Sequence, residues 1–479
     1  MVKTIGNVQK DAQVRAVASG ALSNGDAVVV NSDDTVSVVS GTAEGFSSLV
    51  TYTTANIDTR TSTVFDSTNN KVVIAYGDTS NSFYGTAVVG TVSNNTITFG
   101  TPVVFESGEC RDFSMASVGS GKVLICYRNQ SSTNDGTGRV GTISGTSISF
   151  GSSSVFFTSA SAISVGYDPV QGKGVVHYRK DTTPQYRVAN VATISGTSVS
   201  FGSQTNLYTS TNAADERGYA TTAFDSNSNK LFFAWIDSAF SVRTAVGTIS
   251  GTSISFGTSV TAATGTQTYP VATFDSSTNK IILCWENNTN TEGSAVVGTI
   301  SGTSVSFGTT VTYSDSSPLN NTIAVAYDAN QEKSFVSFRL SSGTLQAKSL
   351  TVSGTDLTVG EAITTTNNQM QGMSSTYDSN EQRIVVAGED GSTGEAAVLN
   401  PATSNLTSDN FIGFTDGAYA DTQSAAINTT CSVDRSQTSL TAGEKYYVSP
   451  LDGTLSTTAG SPSVEAGTAI SATEILVKG

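Results

Sequence analysis

Apolar and small hydroxylated residues alternate in one segment that keeps returning along the chain. It reads V-G-T-I-S-G-T-S-I-S-F-G from Val140 to Gly151, again from Val246 to Gly257, and with one change from Val297 to Gly308. Looser copies begin at Val89, Val191 and Ser349. A period of two is that of a strand with one covered face. The S-G-T at the centre supplies the residues a tight hairpin turn needs. Each copy therefore predicts two antiparallel strands.

A second pattern precedes each copy: an aromatic, Asp, a short polar turn, a base, then an apolar run. It appears as F-D-S-T-N-N-K-V-V-I-A-Y from Phe65 and F-D-S-S-T-N-K-I-I-L-C-W from Phe274. The anchor positions are Asp66, Gly119, Asp168, Asp225, Asp275, Asp328 and Asp378, spaced 49 to 57 residues apart. The apolar run is too short for a helix and is rich in β-branched and aromatic residues, so it reads as a strand covered on both faces. Together the two patterns give four strands, here called A to D, per repeat of about fifty residues, the signature of a β-propeller blade. The expected fold is all-β: a seven-bladed propeller of four-stranded antiparallel blades.

The seventh repeat lacks its C-D hairpin, which suggests how the ring closes. After Asp378 no S-G-T-S-x-S-F follows, whereas G-D-A-V-V-V-N-S-D-D-T-V-S-V-V-S-G-T from Gly25 looks like a C-D unit with no A-B before it. Thr35–Val39 is therefore expected to complete the last blade. L-T-A-G-E-K-Y-Y-V-S-P-L-D-G-T-L-S at Leu440 echoes L-S-N-G-D-A-V-V-V-N-S-D-D-T-V-S at Leu22. Residues 1–34 and 401–479 are accordingly expected to form the two halves of a small β-domain, with the propeller at 35–400 inserted between them.

Composition narrows the function classes. Charged residues make up 13% of the 479, against about 25% in an average domain, and Ser, Thr, Gly and Asn take their place. A net charge of −15 with no Lys/Arg cluster disfavours nucleic-acid or anionic-membrane partners. No apolar stretch is long enough to insert in a membrane, and the start, M-V-K-T-I-G-N-V-Q-K, has no signal-peptide core. The four cysteines are too sparse for a disulfide scaffold. Cys126 and Cys284 share one slot of the repeat with Ala75 and Ala234, as buried reduced thiols would.

Candidate chemistry is thin. An Asp followed by Ser, Thr and Asn fits a turn cap better than a calcium loop, which needs several acids within a dozen residues. His177 is the single histidine and occupies the same Ala/Cys slot, so packing is its expected role. Tyr76, Tyr127, Tyr178, Trp235, Trp285 and Phe338 end the apolar runs and read as inter-blade core. The A-B and C-D turns are short and uniform, but the B-C and D-A connections, which share the opposite end of the blades, differ in length and charge. Scaffold turns repeat because geometry fixes them, whereas binding loops individualise. The candidate binding face therefore carries Asp78, Tyr84, Arg128, Asp135, Arg179, Tyr186, Asp215, Glu216, Arg217, Glu286 and Arg339. Glycosidase chemistry needs two carboxylates about 5–10 Å apart; Asp215, Glu216 and Glu286 are available, yet no repeat carries a distinctive acid pair. No catalytic residue, metal site or cofactor is expected.

The V-G-T-I-S-G-T-S-I-S-F-G unit, the Y/F-D-S-x-x-N-K turns and the closing S-P-S-V-E-A-G-T-A-I-S-A-T-E-I-L-V-K-G resemble virion appendage proteins of tailed bacteriophages, especially marine and cyanobacterial ones. The resemblance spans most of the chain, including L-S-N-G-D at the start and F-I-G-F-T-D-G-A-Y-A at Phe411. It carries no catalytic motif. It implies a structural protein of a tail fibre, tail tip or capsid appendage, located in the virion and assembled in the host cytoplasm. The implied partners are other virion proteins, further copies of the chain, and a host-surface glycan or protein receptor. Two alternatives are a polysaccharide-degrading propeller enzyme and a lectin-like carbohydrate-binding protein of cellular origin.

Overall fold

The computed structural model describes residues 12–182, 185–208, 219–316, 318, 322–340, 343–365, 370–391, 393–460 and 462–478. These residues are all-β, with no α-helix among them. The chain divides into two compact units, Gly45–Asn400 and the combined ends Met1–Glu44 with Pro401–Gly479.

The larger unit repeats one antiparallel meander. In the stretch carrying Asp168, strand A is Ala160–Asp168, B is Lys173–Lys180, C is Tyr186–Ser195 and D is Ser198–Phe201, paired in that order. The order recurs from Ala220–Asp225 to Ser253–Phe256, from Gln267–Asp275 to Ser304–Phe307, and from Ile323–Asp328 to Asp356–Val359. Strand B is buried along nearly its whole length, as its apolar run requires. A further short strand was not foreseen: after D the chain bends and a segment such as Thr205–Tyr208 pairs back onto the other end of C. Between the first and second repeats this segment runs on into the next strand A, so Val103–Gly119 pairs with Tyr84–Ser93 and then with Lys122–Asn129.

Turn chemistry explains the anchor aspartates. The Asp275 carboxylate accepts hydrogen bonds from the amides of Ser277 at 2.9 Å and Thr278 at 3.1 Å. Asp168, Asp225, Asp328 and Asp378 do the same two and three residues on. They cap the A-B hairpins, satisfying amides that would otherwise be orphaned.

The recurring S-F-G has an equally local cause. A methyl group on Gly151 would overlap the carbonyl oxygen of Thr197, which sits at the C-D turn of the next repeat. Gly100, Gly202, Gly257 and Gly308 stand in the same way against Thr146, Thr252, Thr303 and Thr355. The motif is a clasp between neighbouring repeats, so both its glycine and its turn must be kept.

Along the inner edge, successive A strands are tied by side chains. Ser62 accepts from the Met115 amide and Ser114 from the Val165 amide, each at 2.9 Å, and Thr221 accepts from the Ala272 amide at 3.2 Å. The first A strand meets the last: Thr61 Oγ1 donates to the Gly372 carbonyl at 2.8 Å.

Two sequence expectations need correction. Thr35–Val39 does not complete the last repeat. Val36–Val38 forms a hairpin with Ala27–Val30 in the terminal unit, closed over N-S-D-D-T. A hairpin this local closes with little loop entropy, and Val28, Val29 and Val36 are buried there. The strand that follows Thr393–Asn400 is Gly45–Phe46, paired at Leu399 and Asn400, and Val50–Thr53 pairs farther along the same strand. Phe46 packs against buried Leu399, Val386 and Ile384, which selects this segment. The boundary at the N-terminal side is accordingly 44/45, not 34/35.

Within the terminal unit, strands from both ends of the chain share one sheet, ordered Gln13–Val17, Ser424–Asn428, Phe411–Thr415, Ala27–Val30, Val36–Val38. A second five-stranded sheet is built from residues 433–477. Ala27, Val29 and Val39 lie in one core with Phe411, Phe414, Leu440 and Val448.

Candidate functional site

Several A strands bulge just before they enter the sheet. Register shifts fall between Arg111 and Ser114, Ser161 and Ser164, Thr268 and Val271, and Gln371 and Ser374. One residue in each bulge has positive φ: Asp112 (53°), Ala162 (53°), Tyr269 (51°) and Gly372 (56°). Bulges of this kind re-aim side chains. With Arg60, Tyr219 and Thr322 they form one structural position carried by every repeat, six residues before the anchor (seven at Asp112, where an extra bulge precedes Gly119).

Arg60, Asp112, Tyr219, Tyr269 and Gly372 line a common cavity of about 150 Å³ with Phe113, Ile163, Ile323 and Met373. Asp112 is buried and pairs with the guanidinium of Arg60 and with Arg128, whose Nε lies 3.2 Å away. Arg60 also donates to the Tyr219 hydroxyl at 2.9 Å and stacks on that ring, 4.6 Å from its centroid. The Tyr219 and Tyr269 rings are 3.8 Å apart. Burial pushes the Tyr269 hydroxyl well up, and the hydrogen bond with Tyr219 adds to this. Burial, and then the nearby charge of Arg60, pulls the Arg128 guanidinium down. Beside this cluster Arg111 pairs with Asp58 at 3.0 Å and Glu109 at 3.1 Å, and covers the Phe83 ring at 3.7 Å. The result is a polar, aromatic end to the repeats in which cations and carboxylates largely neutralise each other.

The residues singled out from sequence distribute unevenly. Arg128 joins the cluster through Asp112. Arg179 pairs with Asp181 at 2.6 Å instead. Glu286 and Arg339 are buried, 2% and 8% exposed, so they are not the surface charges expected. Glu286 accepts from Thr268 at 2.7 Å. Asp78, Tyr84, Asp135 and Tyr186 are half-buried at the ends of strands B or C. Asp135 accepts from Ser132 at 2.6 Å and Thr133 at 2.7 Å, holding its own loop. Asp215, Glu216 and Arg217 lie outside the described residues.

Sequence reasoning missed Arg60, Asp112, Tyr219 and Tyr269. For Arg60, Tyr219 and Tyr269 the signal was present: reading six residues before each anchor gives Arg60, Phe113, Ala162, Tyr219, Tyr269, Thr322 and Gly372, a position that varies where the turns repeat. Asp112, one residue out of that register, escapes it.

The remaining titratable groups are packed away. His177 is fully buried, with Phe233 and Trp235 rings edge-on at 5.5 and 6.0 Å. Burial, then the charge of Arg187, lowers its pKa well below the ordinary value. Cys110, Cys126 and Cys284 are buried, and burial raises each thiol; Cys431 is exposed. The strand-ending aromatics Tyr76, Tyr127, Tyr178, Trp235, Trp285 and Phe338 are at most 1% exposed. Among the described residues no group of three His, Cys, Asp or Glu is placed to hold a metal ion, and no helix is long and apolar enough to cross a membrane.

No protein-family model matches the chain, and no curated protein matches it. Among solved structures it is similar to the six-bladed β-propeller fucose lectin of Aleuria aurantia, with 15% identity, TM-score 0.41, and 66% of this chain and 97% of the lectin covered. It is also similar to the β-propeller domain of Cps50 (Swd1) from Myceliophteria thermophila, with 10% identity, TM-score 0.45, and coverage of 76% and 100%. A protein from Lactobacillus plantarum aligns with 13% identity, TM-score 0.47, and coverage of 70% and 92%. The chain is thus an all-β protein of four-stranded antiparallel sheets with β-propeller neighbours.

Proposed function

We propose that this chain is a non-enzymatic structural protein of a tailed-phage particle. In this reading it is a seven-bladed propeller, closed by Gly45–Phe46, that presents its B-C and D-A loop end to a host-surface or virion partner. The carrying observation is the contrast between the two ends of the repeats. At the turn end, the same Gly-Thr clasp recurs. At the loop end, one structural position holds Arg60, Asp112, Ala162, Tyr219, Tyr269, Thr322 and Gly372 in turn. A scaffold held constant while one end diversifies is the arrangement of a binding protein on a rigid frame. The phage setting is supported by the sequence resemblance, which implies a place in a tail fibre, tail tip or capsid appendage beside other copies and other virion proteins. Among the described residues at this end, Glu286, Asp112 and Asp58 are each held by a hydrogen bond or an ion pair.

Immunogold labelling and mass spectrometry of purified particles test the reading. The expected result is a discrete labelled structure on intact virions. Absence of the protein from particles, or release of oligosaccharides from host polysaccharide by the purified chain, would overturn it.

A further inference from the structure

Six seams between neighbouring repeats share one packing device; at the remaining one Ile363–Thr364 pairs without a skip and the facing strand B carries Gly388 in the aromatic place. In the six, where the segment after strand D pairs back onto C, its register skips one residue, and that residue leans over the aromatic ending strand B of the next repeat. The skipped residues are Tyr52, Phe105, Phe156, Leu207, Ala262 and Tyr313. Tyr52 lies 5.4 Å from Tyr76, Phe105 5.2 Å from Tyr127, Phe156 4.9 Å from Tyr178 and Tyr313 5.2 Å from Phe338, between ring centroids. Leu207 packs in the core of Trp235. Only Ala262, against Trp285, is small.

An alanine in place of a ring leaves space, and a groove of about 530 Å³ lies there. That is inside the range of roughly 300–1,000 Å³ usual for small-molecule sites. Its walls are polar. Thr261, Thr264, Thr310, Thr312, Asn290 and Glu292 contribute to them, and none of the described lining residues is Arg or Lys. Glu292 is held in place by Asn287 at 2.8 Å, Asn290 at 3.1 Å and Ser294 at 3.2 Å on Oε1, and by Thr312 at 3.0 Å on Oε2. Gln267, only 2% exposed, donates to the Thr264 carbonyl and to Asn287. Those two bonds fix its amide orientation. They leave its Oε1 buried and without a partner among the described residues. A buried unpaired acceptor is destabilising unless something donates to it. Trp285 Nε1 is unpaired as well, but so is Trp235 Nε1 at a seam that is filled, so Gln267 carries the weight.

We infer that the groove over Trp285, opened by Ala262 and walled by Gln267, Glu292 and four threonines, binds one neutral, hydroxyl-rich sugar residue. Hydroxyl groups both donate and accept, which suits a wall mixing a carboxylate, amides and threonine hydroxyls. Among the described lining residues the one charge is the Glu292 carboxylate, which disfavours sialic or uronic acids and phosphates; the Arg243 guanidinium, bonded to Thr261 and Ser259, is outside the lining. The inference rests on the reading of the loop end as a binding face and names a ligand class for it.

The test uses the full chain and saturation-transfer NMR with calorimetry. The probes are the methyl glycosides of glucose, galactose, mannose and N-acetylglucosamine, with methyl glucuronide as the anionic comparison. Binding of at least one neutral glycoside is expected, weakened at least roughly tenfold in Ala262→Leu, which recreates the filled seam at Leu207. Glu292→Gln, which removes the charge and keeps the shape, is expected to weaken the same glycoside and serves if Ala262→Leu does not fold. No binding of any neutral glycoside would overturn the inference. So would equal binding by both variants, or tighter binding of the glucuronide. The particle-labelling experiment is independent of these outcomes: a chain absent from virions could still bind the glycoside, and a labelled virion component could fail to.

Discussion

His177 sits where other repeats have Cys126, Cys284 or Ala75, opposite the same position of strand A. A buried imidazole edge-on to two aromatic rings stays neutral in the folded protein. The unfolded chain takes up a proton near its ordinary pKa of about 6.5. The unfolded state thus binds more protons below that pH, so the contribution to stability is full above about pH 6.5 and declines as pH falls toward the lowered folded value. The slope is at most about 1.4 kcal/mol per pH unit. Urea unfolding of wild type and His177→Cys at pH 7.5, 6.5 and 5.5 should show the wild type losing stability faster on acidification. Parallel pH profiles would place the imidazole in contact with water. A lone histidine in an Ala/Cys slot was enough to read packing from the sequence. Asp112 was not legible in that way, since nothing local says that a carboxylate in a bulge will meet Arg60 and Arg128 from two other strands.

The V-G-T-I-S-G-T-S-I-S-F-G hairpin serves two contacts at once, its own turn and the clasp on its neighbour. Gly251, at the turn, has φ of 62° and open space around the missing Cβ, whereas Gly257 faces the Thr303 carbonyl. Gly251→Ala should therefore cost about 1 kcal/mol, from the positive φ alone. Gly257→Ala should cost about 1–3 kcal/mol, because backbone must move. Thermal and urea unfolding of the two variants would measure the difference, and equal losses would remove the clasp as the reason for the repeat's uniformity. The four main strands were legible because periodicity and turn residues are local properties. The short strand after D was not, since it pairs to a segment already engaged by D and its bulge depends on what the next repeat presents.

Closure of the ring joins residues near the two ends of the larger unit. Thr61 and Thr63 meet Ser374 on the inner edge, the Thr63 hydroxyl at 2.7 Å, while Gly45–Phe46 pairs with Leu399 and Asn400 at the outer edge. The closing strand thus lies inside residues 45–400, and a chain cut to 45–400 should fold on its own with a single cooperative transition. A chain cut to 48–400 lacks Phe46 and exposes the edge of Thr393–Asn400. It should melt lower by roughly 3–6 °C and self-associate through that edge. Circular dichroism melts with light scattering would check both, and identical melting of the two fragments would deny Gly45–Phe46 a closing role.

The amino-acid sequence alone determined the repeat, its strands, the capped turns and the glycine-rich hairpin, because each is set by residues within about a dozen positions of one another. It also placed the divergence at one end of the repeats. Only the tertiary structure decided which strand follows Thr393–Asn400. The segment at Val36–Val38 and the one at Gly45–Phe46 both satisfy a strand pattern, and a nearby hairpin partner takes the first while the core around Leu399 takes the second. The same holds for the cluster at Asp112 and the groove at Ala262. Each depends on side chains from different repeats meeting across a seam, and no period along the chain records what a residue will face there.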